Sequence, residues 1–92
     1  VVDLTVKNLA MSSAMVITHR KNNDPQEIQS EKIKIRCIEL LKLLDSKLVK
    51  KRLDSLLDAT KGDGADLQFI NRWSYSNEQI NAISESIYEV AT

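Results

Sequence analysis

Little in this sequence can break a helix. It has two glycines and one proline in 92 residues, so few turns are encoded and each should be sharply placed. Its single cysteine, Cys37, excludes a disulfide within the chain, and a cysteine-based zinc site would need more ligands. Its single histidine, His19, has no ligand partner nearby in sequence. A lone His at a helix end reads as a surface residue offsetting the helix dipole. No apolar run approaches the ~20 residues that span a bilayer. Residues 1–17 have neither the basic start nor the continuous apolar centre of a signal peptide, because Lys7 and Asn8 interrupt them. These shortages point to a soluble, intracellular protein in the reducing cytoplasm, with no membrane association. The chain opens on Val1 rather than Met, as a processed chain or a fragment of a longer one would.

What is present is helix-forming. Apolar residues make up 42% and charged residues 28%, too apolar a mixture for a disordered tail. Leu, Ile, Lys and Glu are abundant, and they favour helices over strands. The expectation is one all-α domain over 1–92, a small bundle of four main helices at about 4–20, 25–45, 46–60 and 77–91, with a short helix near 65–73.

Local signals place the boundaries. In Asp24-Pro25-Gln26-Glu27, aspartate can cap, proline suits the first helical position, and Glu27 can close a capping box. Ser76 and Gln79 form a second capping box, with Tyr75 and Ile80 placed as a hydrophobic staple. Gly62-Asp63-Gly64 is a strong stop, and Asp3 can cap the first helix. A break at Asp45-Ser46 is preferred to one helix from 25 to 59, because a compact chain of this size has no room for a rod of ~50 Å.

Helical spacing then assigns the core. The first helix offers Val6, Leu9, Ala10, Val16 and Ile17, and the second Ile33, Cys37, Leu40, Leu41 and Leu44. The third offers Val49, Leu53, Leu56 and Leu57, and the short helix Leu67, Phe69, Ile70 and Trp73. The last offers Ile80, Ile83, Ile87, Val90 and Ala91.

Specific chemistries fail on spacing. With Gly64 at the sixth position of a calcium loop, the ligand slots fall on Ala59, Lys61 and Asp63, and two of the three have no carboxylate. Gly-Asp-Gly is not a phosphate loop, since no Gly-Lys-Ser/Thr follows. No metal, cofactor or catalytic set is expected, so the chain does not read as an enzyme.

Two features remain. Net charge is zero, but residues 1–52 hold eleven Lys or Arg against six Asp or Glu, a net of +5. Residues 53–92 hold two against seven, a net of −5. Charges that complement across the bundle are the simplest reading. Within the basic half, Lys47, Lys50, Lys51 and Arg52 crowd one helical turn and could neutralise a few phosphates. Asp54 and Asp58 follow at pairing distance, and the aromatics fall elsewhere, at 69–88. Cations at a helix start oppose its dipole. Unless the second and third helices are continuous, these cations serve something outside their own helix.

The second feature is apolar surface left over. Leu4, Met11 and Met15 fall in line opposite the core stripe of the first helix, and Ile28 and Ile35 fall outside that of the second. A helix apolar on more than one side is central in its domain or covered by a partner. The expected function is a non-catalytic interaction module, adaptor or regulatory, that binds a protein partner or self-associates through these five residues. A nucleic-acid-binding domain using Lys47, Lys50, Lys51 and Arg52 is the alternative, and a small enzyme stands third.

Overall fold

The computed structural model describes residues 2–64 and 66–91. The described residues are helical with short connections: α1 (Val2–Lys21), α2 (Gln26–Leu43), α3 (Ser46–Thr60), α4 (Leu67–Arg72) and α5 (Asn77–Ala91). The short helix is trimmed at both ends relative to 65–73, and Ala65 lies outside the described residues. The radius of gyration is 12.4 Å, close to the ~12 Å that scaling gives a folded chain of this length.

Hydrogen bonds within a few residues explain the helix ends. In α3, Asp63 N–H donates to Asp58 O at 3.0 Å and Gly62 N–H to Ala59 O at 3.1 Å. This is a Schellman motif with Gly62 at the left-handed position, φ 89°. The end of α1 repeats the motif with Asn23 at φ 52°. There Asp24 N–H donates to His19 O, and Asn23 N–H to Arg20 O. Asparagine tolerates this region better than most residues.

Two starts follow their signals. Ser76 Oγ accepts from Gln79 N–H at 3.2 Å, and Gln79 Oε1 accepts from Ser76 N–H at 2.9 Å. The same Gln79 amide donates to Ala14 O and Thr18 Oγ1, so the capping box also ties α5 to α1. At α3, Asp45 Oδ1 accepts from the amides of Lys47 and Leu48. The break between α2 and α3 is therefore real, and it is capped.

Two caps differ from their sequence reading. Asp24 takes the amide of Gln26, but Glu27 does not reach back to it. Glu27 turns instead to Arg20, at 2.9 Å. A charged partner across the turn outcompetes a backbone amide. Asp3 lies inside α1, which starts at Val2, and bonds to Lys7 and Arg52.

α1 is central. It buries Val6, Leu9, Ala10, Ala14 and Val16 together with Thr5, Ser12, Ser13 and His19, and it packs against α2, α3 and α5. Small residues on this face allow close helix approach. The rest of the core comes from Cys37, Ile38 and Leu41 on α2, Val49, Leu53, Leu56 and Ala59 on α3, Ile70 on α4, and Ile83, Ile87 and Val90 on α5.

Several core assignments need correction. In α2, Ile33 and Leu40 are exposed, while Ser30 and Ile38 are buried in their place. The inward face of this helix is turned toward Ile38 and Leu41. Trp73 is exposed, with the Arg72 guanidinium 5.7 Å from its ring centroid. Ala91 is also exposed, and Ile17 is only half-buried. His19 is buried rather than at the surface. Its Nδ1 lies 3.3 Å from Asp24 Oδ2, so it helps pin the α1–α2 turn.

Candidate interaction surface

The five partner-binding candidates separate into two faces. Leu4 is 63% exposed, Met15 is exposed, and Met11 is half-buried. All three lie on the side of α1 away from Ser13 and Ile17. Those two residues line a groove of about 560 Å³ between α1, α2 and α5. Ile28, 66% exposed, lines that groove instead. Ile35, two turns on, shares its flank of α2. The α1 line and the Ile28–Ile35 pair are therefore not one surface. The opposite flank of α2, carrying Ile33 and Leu40, is the one turned away from this groove.

The floor of the groove holds a buried hydroxyl pair, with Ser13 Oγ 2.6 Å from Ser86 Oγ. Ser13 also donates to Leu9 O at 2.7 Å, and Ser86 to Ala82 O at 3.0 Å. Two hydroxyl protons serve three short contacts, so one backbone carbonyl gives up its side-chain donor at any moment. Bonding to the carbonyl four residues back is what lets serine be buried in a helix. On the walls, Arg20 pairs with Glu27 and Lys34 with Glu31. His19 is not among the lining residues, so the structure places no imidazole against these hydroxyls.

The basic turn also divides. Arg52 points inward: its Nε bonds to Asp3 Oδ1 at 2.7 Å and its Nη1 to Asp66 Oδ2. Ser55 Oγ donates to the same Asp66 oxygen at 2.8 Å. Burial pulls the Arg52 guanidinium toward neutrality, but hydrogen bonds to Asp3 and Asp66 outweigh it and leave its pKa raised. The Arg52 hydrogen bond holds the Asp3 carboxyl below the usual carboxylate range. Lys47, Lys50 and Lys51 stay exposed. Among the described residues they form no ion pair, with Asp54 and Asp58 or otherwise. Among the described residues, Lys21–Glu78 and Arg52–Asp66 join the basic and acidic halves of the chain.

A family model described as "Uncharacterised conserved protein UCP020893" matches residues 1–90. The chain belongs to that family. No curated protein and no solved structure matches it. The match runs through all five helices, so the α1 face, the groove and the Arg52 network all fall within the family's sequence.

Among the described residues, no three His, Cys, Asp or Glu side chains converge to hold a metal ion, and no helix is long and apolar enough to cross a membrane. Cys37 is buried, and burial pushes its thiol pKa up. Because the thiolate is the reactive form, Cys37 should stay unreacted with a thiol-specific disulfide reagent at pH 8 and titrate fully in denaturant. Stoichiometric reaction of the folded protein within minutes would mean that the α1–α2 interface opens readily.

Sequence reasoning missed the Arg52–Asp66 tie and the Ser13–Ser86 pair. No local signal marks either one, because the partners are 14 and 73 residues apart.

Proposed function

We propose that this chain is a non-catalytic helical interaction module, adaptor or regulatory in type, that binds a protein partner in the cytoplasm. The observation that carries the reading is the outer face of α1. Leu4 and Met15 stand in solvent on the helix that otherwise forms the centre of the core. Methionine side chains adapt to partner surfaces, and contiguous exposed apolar area marks interaction sites more than it marks ordinary surface. A second copy of the chain could use the same face.

Light scattering and affinity co-purification of wild type and Met11→Lys/Met15→Lys test this. The wild type is expected to form a complex or a dimer that the double variant loses, with helicity unchanged. A monomeric wild type whose co-purified partner is retained by the double variant would rule out this face.

The lysines left without ion pairs favour a second reading, a nucleic-acid-binding domain. With Arg52 engaged inside, only Lys47, Lys50 and Lys51 remain from the basic turn. Three phosphate contacts correspond to a log–log salt slope of about −2 to −3, and salt-insensitive binding would exclude this reading.

A further inference from the structure

A second groove, of about 540 Å³, runs between the end of α2, most of α3 and the end of α5. Its floor is apolar, with Leu41, Val49, Leu53 and Ile87 buried beneath and Leu44 and Leu57 half-exposed along it. Lys42 and Lys50 stand among its lining residues. Lys47, one turn before Lys50, extends the positive edge along α3. Among the described residues, Lys42, Lys47 and Lys50 have no ion pair. Asp54 also lines the groove, four residues beyond Lys50, yet the two do not pair.

We propose that this groove receives an acidic amphipathic helix from a partner protein, with leucine-type side chains on its floor and carboxylates against Lys42, Lys47 and Lys50. The inference rests on reading the chain as a protein-binding module, but it does not rest on the α1 face.

Three observations choose this occupant. The floor is apolar and concave, which suits the apolar stripe of a helix laid in a groove. The lysines of α3 recur at the i, i+3 spacing of a helical turn, about 5 Å, and glutamates on a facing helix recur at that same interval. Lys42, Lys47 and Lys50 also lack an ion pair among the described residues, so carboxylates from a partner would supply the counter-charge along this edge. A nucleic acid would satisfy the lysines but would bring phosphate and sugar to an apolar floor. An anionic bilayer presents a plane, which a concave groove fits poorly.

The test uses the whole chain, isotope-labelled, titrated with a synthetic amphipathic peptide of about 18 residues, some 27 Å as a helix. The peptide carries leucine at i, i+3, i+4 and i+7 and glutamate elsewhere. Saturable amide shifts are expected at residues 41–57 and 87–91. Affinity should fall with added salt, and Lys42→Glu/Lys50→Glu should weaken it about tenfold or more. A peptide with lysine in place of glutamate should bind that double variant better than it binds the wild type. These surface changes leave the core untouched, so unchanged circular dichroism is part of the expected result.

Absence of saturable shifts, or equal binding of the lysine peptide by the wild type, overturns the proposal. Shifts confined to residues 4–15 overturn the groove but leave the protein-binding reading standing. Binding of duplex DNA or phosphatidylserine vesicles, with no binding of the acidic peptide, overturns both.

Discussion

Arg52→Ala should destabilise the fold by about 2–4 kcal/mol and lower the melting temperature by roughly 10–25 °C. The reason is what the change leaves behind. Asp66 is buried, and its Oδ2 accepts from both Arg52 and Ser55. Without the guanidinium, a buried carboxylate keeps one neutral donor and no counter-charge. Removing one partner of a fully buried pair costs about 3–5 kcal/mol. Here the side chains keep 17% and 10% exposure, which sets the range lower. The network also joins three parts of the chain, since Arg52 on α3 holds Asp3 on α1 and Asp66 in front of α4. Asp3→Asn should lose less than about 1 kcal/mol, because that carboxylate is 64% exposed and screened by solvent. Arg52→Met/Asp66→Leu should recover part of the loss, since neither charge is then stranded. Urea and thermal unfolding followed by circular dichroism measure all four proteins. An Arg52→Ala loss below about 1 kcal/mol would show that Asp66 is well solvated and that the tie is an ordinary surface pair.

The same residue marks the limit of what the sequence makes legible. Every well-read boundary rests on atoms a few residues apart: Asp45 with the amides of Lys47 and Leu48, Ser76 with Gln79, and Gly62 with Ala59. Residue type and spacing suffice there. The inward faces of α3 and α5 are legible for a related reason. Val49, Leu53 and Leu56, and Ile83, Ile87 and Val90, each fall on one side of their helix and leave no competing stripe. α2 has no such bias. Ile28, Ile33, Ile35, Ile38, Leu40, Leu41 and Leu43 are spread around it, so periodicity alone does not choose an inward side. The choice is made by packing against α1, whose buried residues include Ser12 and Ser13. Burial of those serines was not legible either, because their hydroxyls are satisfied by carbonyls one turn back. At the candidate surface, the exposure of Leu4 and Met15 follows from helical geometry. The separation of Ile28 from them depends on where α5 packs, and the pairing of Arg52 depends on the turn that carries Asp66.

The orientation of α2 can be tested with three leucines that the sequence barely distinguishes. Leu41→Ala should cost about 3–5 kcal/mol, because Leu41 is 1% exposed within the central cluster and a close-packed site relaxes only in part. Leu43→Ala should cost less than about 0.5 kcal/mol, because Leu43 is 83% exposed. Leu40, at 41% exposed, should fall between them, near about 1 kcal/mol for the partial burial it loses. Chemical denaturation of the three variants gives this order directly. Equal losses at 40 and 41 would restore the inward stripe expected from spacing and rotate the helix by part of a turn. The predicted order also bears on function. Leu43 stands in solvent beside Lys42 and Leu44, which line the lysine-edged groove. If its truncation leaves stability unchanged and still weakens the acidic peptide, then Leu43 contributes to recognition and not to the fold. If truncation changes neither, the contact ends at the groove itself, and Leu44 is the outermost leucine that meets the partner.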